Sequence, residues 1–129
     1  MSSFFRLVCE SCGLSLKEAV DFLGTKLDTT KSWWTGRRKS PETVLEKLIE
    51  LSVRQDIAAQ QILLDMGLLD DKGSAARVSL KEVDSDLEAK ALGWPSANAY
   101  RAVIRRVVEK MPPALALRLV LVSQKFGEN

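Results

Sequence analysis

Histidine is absent from this 129-residue chain, and cysteine occurs only twice. The first absence removes the commonest general base and metal ligand of proteins. Cys9 and Cys12 form a CxxC pair, but a structural zinc site takes four ligands, and no third cysteine or histidine completes one. CxxC takes its redox meaning mainly beside a βαβ pattern, which this chain lacks. On a helix, positions 9 and 12 are i, i+3 neighbours, so the pair reads as small apolar side chains turned inward. There is no glycine-rich phosphate loop, and serines and carboxylates are scattered without a catalytic spacing. No enzyme activity, metal or cofactor is expected.

Long apolar runs are missing too. Nothing approaches the roughly 18 apolar residues of a membrane helix. The N-terminus carries one early cation, Arg6, and then charged residues before any apolar core, unlike a signal peptide. A cytoplasmic protein with no membrane contact is expected. Its 46% hydrophobic and 28% charged content is ordinary for a globular chain.

The net charge of +2 says little, but its distribution says more. Between Lys26 and Pro41, five cations (Lys26, Lys31, Arg37, Arg38 and Lys39) stand against one acid, Asp28. Beyond Arg54, ten cations balance ten acids. A positive stretch of this kind suits phosphate contacts, although a solvated arginine-rich loop has the same composition.

Punctuation by serine and glycine predicts helices. A first helix is expected over residues 3–11, with Phe4, Leu7 and Val8 inward and Gly13 beyond its end. Ser15 and Glu18 form a capping box for a second helix with Ala19, Phe22 and Leu23 inward. Gly24 can take the positive φ of a sharp turn into a third helix over about 27–35. Ser40 and Pro41 open a fourth, carrying Val44, Leu48, Leu51, Ile57, Leu64 and Leu68, as one long helix to about Met66 or as two. Two short helices around a glycine turn make a helix-turn-helix, whose second helix can enter the DNA major groove.

Asp70-Asp71-Lys72-Gly73-Ser74 reads as a linker. Beyond it, residues 76–80 and 115–122 alternate like short strands, although a helix remains open for the latter. Between them, a brief helix ends at Gly93. Another starts at Pro95-Ser96 and carries Tyr100, Val103, Ile104, Val107, Val108 and Met111 as an apolar stripe. The expected fold is mainly α. A helix-turn-helix domain (1–68) is followed by a small α+β domain (75–129) of two short strands plus helices, whose exposed edges a second subunit would cover.

Gly13-Leu14-Ser15, Leu23-Gly24, a tryptophan nine residues later, Gly36 and a basic run ending in proline together resemble the Cro/CI-type (XRE-like) helix-turn-helix regulators of phages and bacterial mobile elements. The resemblance covers residues 4–53. The Ser-Trp-x-x-Gly-Arg-Arg segment and the appended domain are also similar to regulators encoded beside anti-CRISPR genes. The resemblance implies a recognition helix from Leu27 to Trp34, with Leu27, Asp28, Thr29 and Ser32 at base-reading positions and Lys26 and Lys31 nearby. It implies a backbone clamp at Arg37, Arg38 and Lys39. Thr29 and Ser32 can bond base edges, Leu27 can meet a thymine methyl, and Asp28 can accept from a cytosine amino group.

Leu16, Val20 and Thr30 depart from the family pattern, which commonly has glutamine, alanine and an apolar anchor there. The adjacent Trp33 and Trp34 leave two registers open. One buries Trp33; the other turns Leu27, Thr30 and Trp34 inward. The expected function is that of a homodimeric repressor on an inverted-repeat operator. The antitoxin of a toxin–antitoxin pair, an RNA binder and a protein-interaction module are the alternatives.

Overall fold

Serine caps and left-handed glycines divide the chain into helices. In a computed structural model, the described residues are 3–65 and 85–113. They form α1 (Phe4–Ser11), α2 (Leu16–Leu23), α3 (Leu27–Trp34), α4 (Glu42–Asp65), α5 (Asp86–Ala91) and α6 (Ala97–Lys110). Every element among the described residues is a helix. The strands expected at 76–80 and 115–122, and the linker at 70–74, lie outside the described residues.

Local chemistry accounts for most boundaries. The Ser3, Ser15, Ser85 and Ser96 side chains each accept from a first-turn backbone N–H, satisfying a donor that the helix cannot. At Ser15 the capping box is complete, with Glu18 reaching back to the Ser15 N–H. Gly24 has φ 66° and ψ 33°, the left-handed conformation that ends α2 and turns the chain into α3. Helix α4 is one continuous helix of 24 residues.

Which apolar residues face inward differs from expectation in two helices. On α1, Phe5 and Cys9 are buried, while Phe4 and Leu7 are 64% and 60% exposed. The stripe through Phe5, Cys9 and Cys12 faces Trp33, whose ring meets Phe5 edge-on at 5.5 Å. Cysteines counted as small apolar residues decide the face. On α4, the inward residues are Leu48, Leu51, Gln55, Ala59 and Leu63; Ile57 and Leu64 are exposed. The core line passes through a glutamine and an alanine, which apolar periodicity skips.

Two principal clusters follow. One joins Phe5, Cys9, Cys12, Leu14, Ala19, Trp33, Leu48, Leu51 and Ala99. The other joins Ala59 and Leu63 of α4 to Val103, Val107 and Met111. Trp94, under the Arg54 guanidinium at 5.2 Å, packs against both. Ala99, Val103, Val107 and Met111 thus share these clusters with buried side chains of the first four helices.

Gln55 ties the layers together. Its amide nitrogen donates to the Cys12 carbonyl at 2.9 Å and to the Ala99 carbonyl at 3.0 Å. The Arg106 guanidinium adds bonds to the Ser11 carbonyl, the Ser52 hydroxyl and Asp56. The backbones of α6 and the α1–α2 turn consequently come very close. A Cβ at Gly13 (φ +76°) would sit 2.2 Å from the Asn98 carbonyl oxygen, whereas one at Gly93 (φ +93°) would meet open space.

Gly93→Ala pays backbone strain alone, about 1–2 kcal/mol, while Gly13→Ala must also push α6 away, for about 3 kcal/mol or more in total. Thermal melts of both variants check this difference. Equal losses would show that the α6 contact at Gly13 is not made.

Candidate nucleic-acid interface

Helices α2 and α3 are eight residues each and are joined by Gly24-Thr25-Lys26. Thr25 and Thr30 hydroxyls meet at 2.6 Å, and Thr30 donates to the Lys26 carbonyl at 2.8 Å. Thr30 is fully buried. Where an apolar anchor is usual in the resembled family, a closed pair of hydroxyls locks the turn to α3, so the buried Thr30 oxygen is satisfied.

The far end of α3 is held as firmly. Trp33 is 7% exposed and lies in the core; Trp34 is half-buried against Phe5, with Arg6 over its ring at 5.3 Å. The Ser3 hydroxyl donates to the Trp34 carbonyl at 3.0 Å. Of the two registers open in the sequence, the one that buries Trp33 is adopted.

This register sorts the expected site residues. Leu27, Asp28 and Lys31 are exposed, and at 100° per residue they share an arc of about 100° that also contains Thr35. Thr35, not anticipated from the sequence, is exposed, and its hydroxyl donates to the Lys31 carbonyl at 3.1 Å. The signal for it was its i+4 spacing from Lys31. Thr29 is exposed but lies off that arc. Ser32 is 2% exposed and donates to the Thr29 carbonyl at 2.6 Å, so it is turned away from the arc. Lys26 stands exposed at the start of the helix.

The basic run follows directly. The Arg38 N–H donates to the Ser32 carbonyl at 3.0 Å, and the Gly36 N–H to the Trp33 carbonyl at 3.2 Å. These bonds fold the run back over the end of α3. Arg37, Arg38 and Lys39 are exposed, and none has a salt-bridge partner among the described residues. Arg38 and Lys39 also edge an open cleft of about 420 Å³ shared with Ser3, Phe4 and Trp33. The surface thus offers a mixed polar and apolar helix face beside three uncommitted cations.

Other chemistry is scarce. No group of three or more cysteines, aspartates or glutamates among the described residues is placed to hold a metal ion. No described helix is long and apolar enough to cross a membrane. Burial pushes the Cys9 thiol up to about 12, with Cys12 and Glu10 adding to the rise. Burial also raises Cys12, against the opposing pull of Arg106 and Ser11. Burial would raise Glu18 as well, but hydrogen bonds from Ser96, Asn98 and Ser15 outweigh it and hold the carboxyl below its ordinary value.

Comparison with protein-family models, with curated proteins and with solved structures found no match. The functional assignment therefore stands on these residues.

Both thiols should be inert to alkylation in the folded protein at pH 8 and react on unfolding, as mass spectrometry of iodoacetamide-treated samples would show. Because the folded thiol pKa is raised, its contribution to stability is complete below the unfolded thiol's pKa. That contribution falls as pH climbs from about 9 toward 12. Fast labelling of the native protein would contradict the buried placement.

Proposed function

We propose that this chain is a sequence-specific DNA-binding regulator that lays α3 in the major groove. Leu27, Asp28, Lys31 and Thr35 face the base edges. Lys26 and the Arg37-Arg38-Lys39 run grip phosphates on either side. The observation that carries this reading is the juxtaposition of an exposed helix face, held at both ends, with three exposed cations folded back against its end. Phosphate contacts fix register and base-edge contacts read sequence, and the two sets are adjacent here.

The simplest action is repression from a promoter in the cytoplasm, with two copies on an inverted repeat. Their α3 helices would then lie about one DNA turn, roughly 34 Å, apart. Ser32 is left out of the base-reading set because its hydroxyl is already committed inside the domain. Thr29, off the main arc, can meet only the flank of the groove.

Replacing Arg37 and Arg38 together with alanine should leave the fold intact, since both are exposed. Affinity should fall about tenfold or more on every duplex, and the slope of log K against log salt should lose about one unit per lost phosphate contact. Fluorescence anisotropy across a salt series checks both. Unchanged affinity in the folded double variant would remove the clamp.

A further inference from the structure

Helix α4 carries large apolar residues on two sides, and among the described residues only one of these sides is packed into the core. The inward face runs through Leu48, Leu51, Gln55, Ala59 and Leu63. On the opposite side, Ile49, Val53, Ile57 and Leu64 are 49%, 50%, 61% and 45% exposed. A helix at the edge of a domain ordinarily turns a polar face outward. This one does not.

The outward residues fall in a regular order. Glu46, Glu50, Val53, Ile57, Gln60 and Leu64 are all exposed and are spaced 4, 3, 4, 3 and 4. That is the alternation by which a helix meets another helix along a coiled-coil seam. We infer that this face is the surface through which two copies of the chain pair, with their α4 helices antiparallel about a two-fold axis between Val53 and Ile57.

The seam is self-complementary in that arrangement. Val53 lies opposite the partner's Ile57, and Ile57 opposite the partner's Val53, giving four apolar side chains at the centre. Glu50 lies opposite the partner's Gln60, whose amide can donate to the carboxylate. Glu46 lies opposite the partner's Leu64, which covers its aliphatic stem. A parallel pairing would instead set Glu46 against the partner's Glu46 and Glu50 against the partner's Glu50, like charges at close range. Charge pattern and apolar spacing select the same geometry.

Val53, Ile57 and Leu64 are the apolar members of this seam, at 50%, 61% and 45% exposure.

This pairing stands on α4 alone and is measured without DNA, so its failure would leave the reading of α3 as the DNA-contacting helix untouched and would remove only this route to two copies on an inverted repeat. Sedimentation equilibrium of the full chain over about 5–200 μM should give a dimer. Val53→Glu with Ile57→Glu should give a monomer with an unchanged far-UV circular dichroism spectrum. Gln60→Lys places a cation opposite the partner's Glu50 and should tighten the dimer about threefold or more. It would weaken a parallel pair, where the two new lysines would meet. Should the double glutamate variant fail to fold, Ile57→Gln replaces it and should weaken pairing about tenfold. A wild-type monomer throughout this range, a folded glutamate variant as dimeric as wild type, or a weakened Gln60→Lys dimer would each overturn the assignment.

Discussion

One buried amide holds the arrangement of this protein together. Gln55 sits inside α4 at 0% exposure and donates to carbonyls at the end of α1 and in α6. Both acceptors lie in the interior, where an unpaired carbonyl costs about 1–3 kcal/mol. A hydrocarbon of the same volume would fill the space but remove the donor that the Cys12 carbonyl uses and the second donor on the Ala99 carbonyl, which α6 already bonds once. The Gln55 amide oxygen has no partner among the described residues. The amide therefore determines how α1 and α6 cross α4 as well as how tightly they pack. The close passage of Gly13 beneath Asn98 and the seating of Ala99 among the core residues depend on that crossing.

Rigidity passes outward from there to the surface proposed to meet DNA. With α1 set by Gln55, Phe5 meets Trp33 edge-on, and Ser3 bonds the last carbonyl of α3. At the other end of α3, the Thr25–Thr30 hydroxyl pair holds the turn. Helix α3 is thus fastened at both ends, and among the described residues the side chains of its outward arc make no bond to another helix. Such preorganisation matters for recognition, because each side chain ordered on binding costs about 0.5–1.5 kcal/mol. The cations beyond Gly36 are folded back by backbone bonds, and their side chains have no salt-bridge partner among the described residues.

Much of this was legible in the residues, and the exceptions have physical causes. Serine caps, the capping box at Ser15 and Glu18, and the left-handed turn at Gly24 are local signals, and local signals survive without knowledge of the partner. The inward faces of α1 and α4 are different. Each helix offers two apolar stripes, and the choice between them depends on what lies across the interface. On α1 the choice fell to Phe5 and two cysteines because a tryptophan waited opposite. On α4 it fell to a line containing Gln55, whose polarity hides its role until both carbonyls are in view. Ser32 differs from expectation for a related reason: a serine in the last turn of a helix looks exposed until its hydroxyl finds a carbonyl three residues back. Thr35 closes the helix expected over 27–35, and its place on the outward arc follows only once the register that buries Trp33 is known.

The central claim is that this chain reads DNA sequence through α3. Selection of bound duplexes from a randomised pool by the purified full chain, followed by sequencing, tests it most directly. An enriched motif, repeated in inverted orientation with its half-sites one helical turn apart, is the predicted result. A folded protein that enriches no duplex sequence at low salt would contradict it.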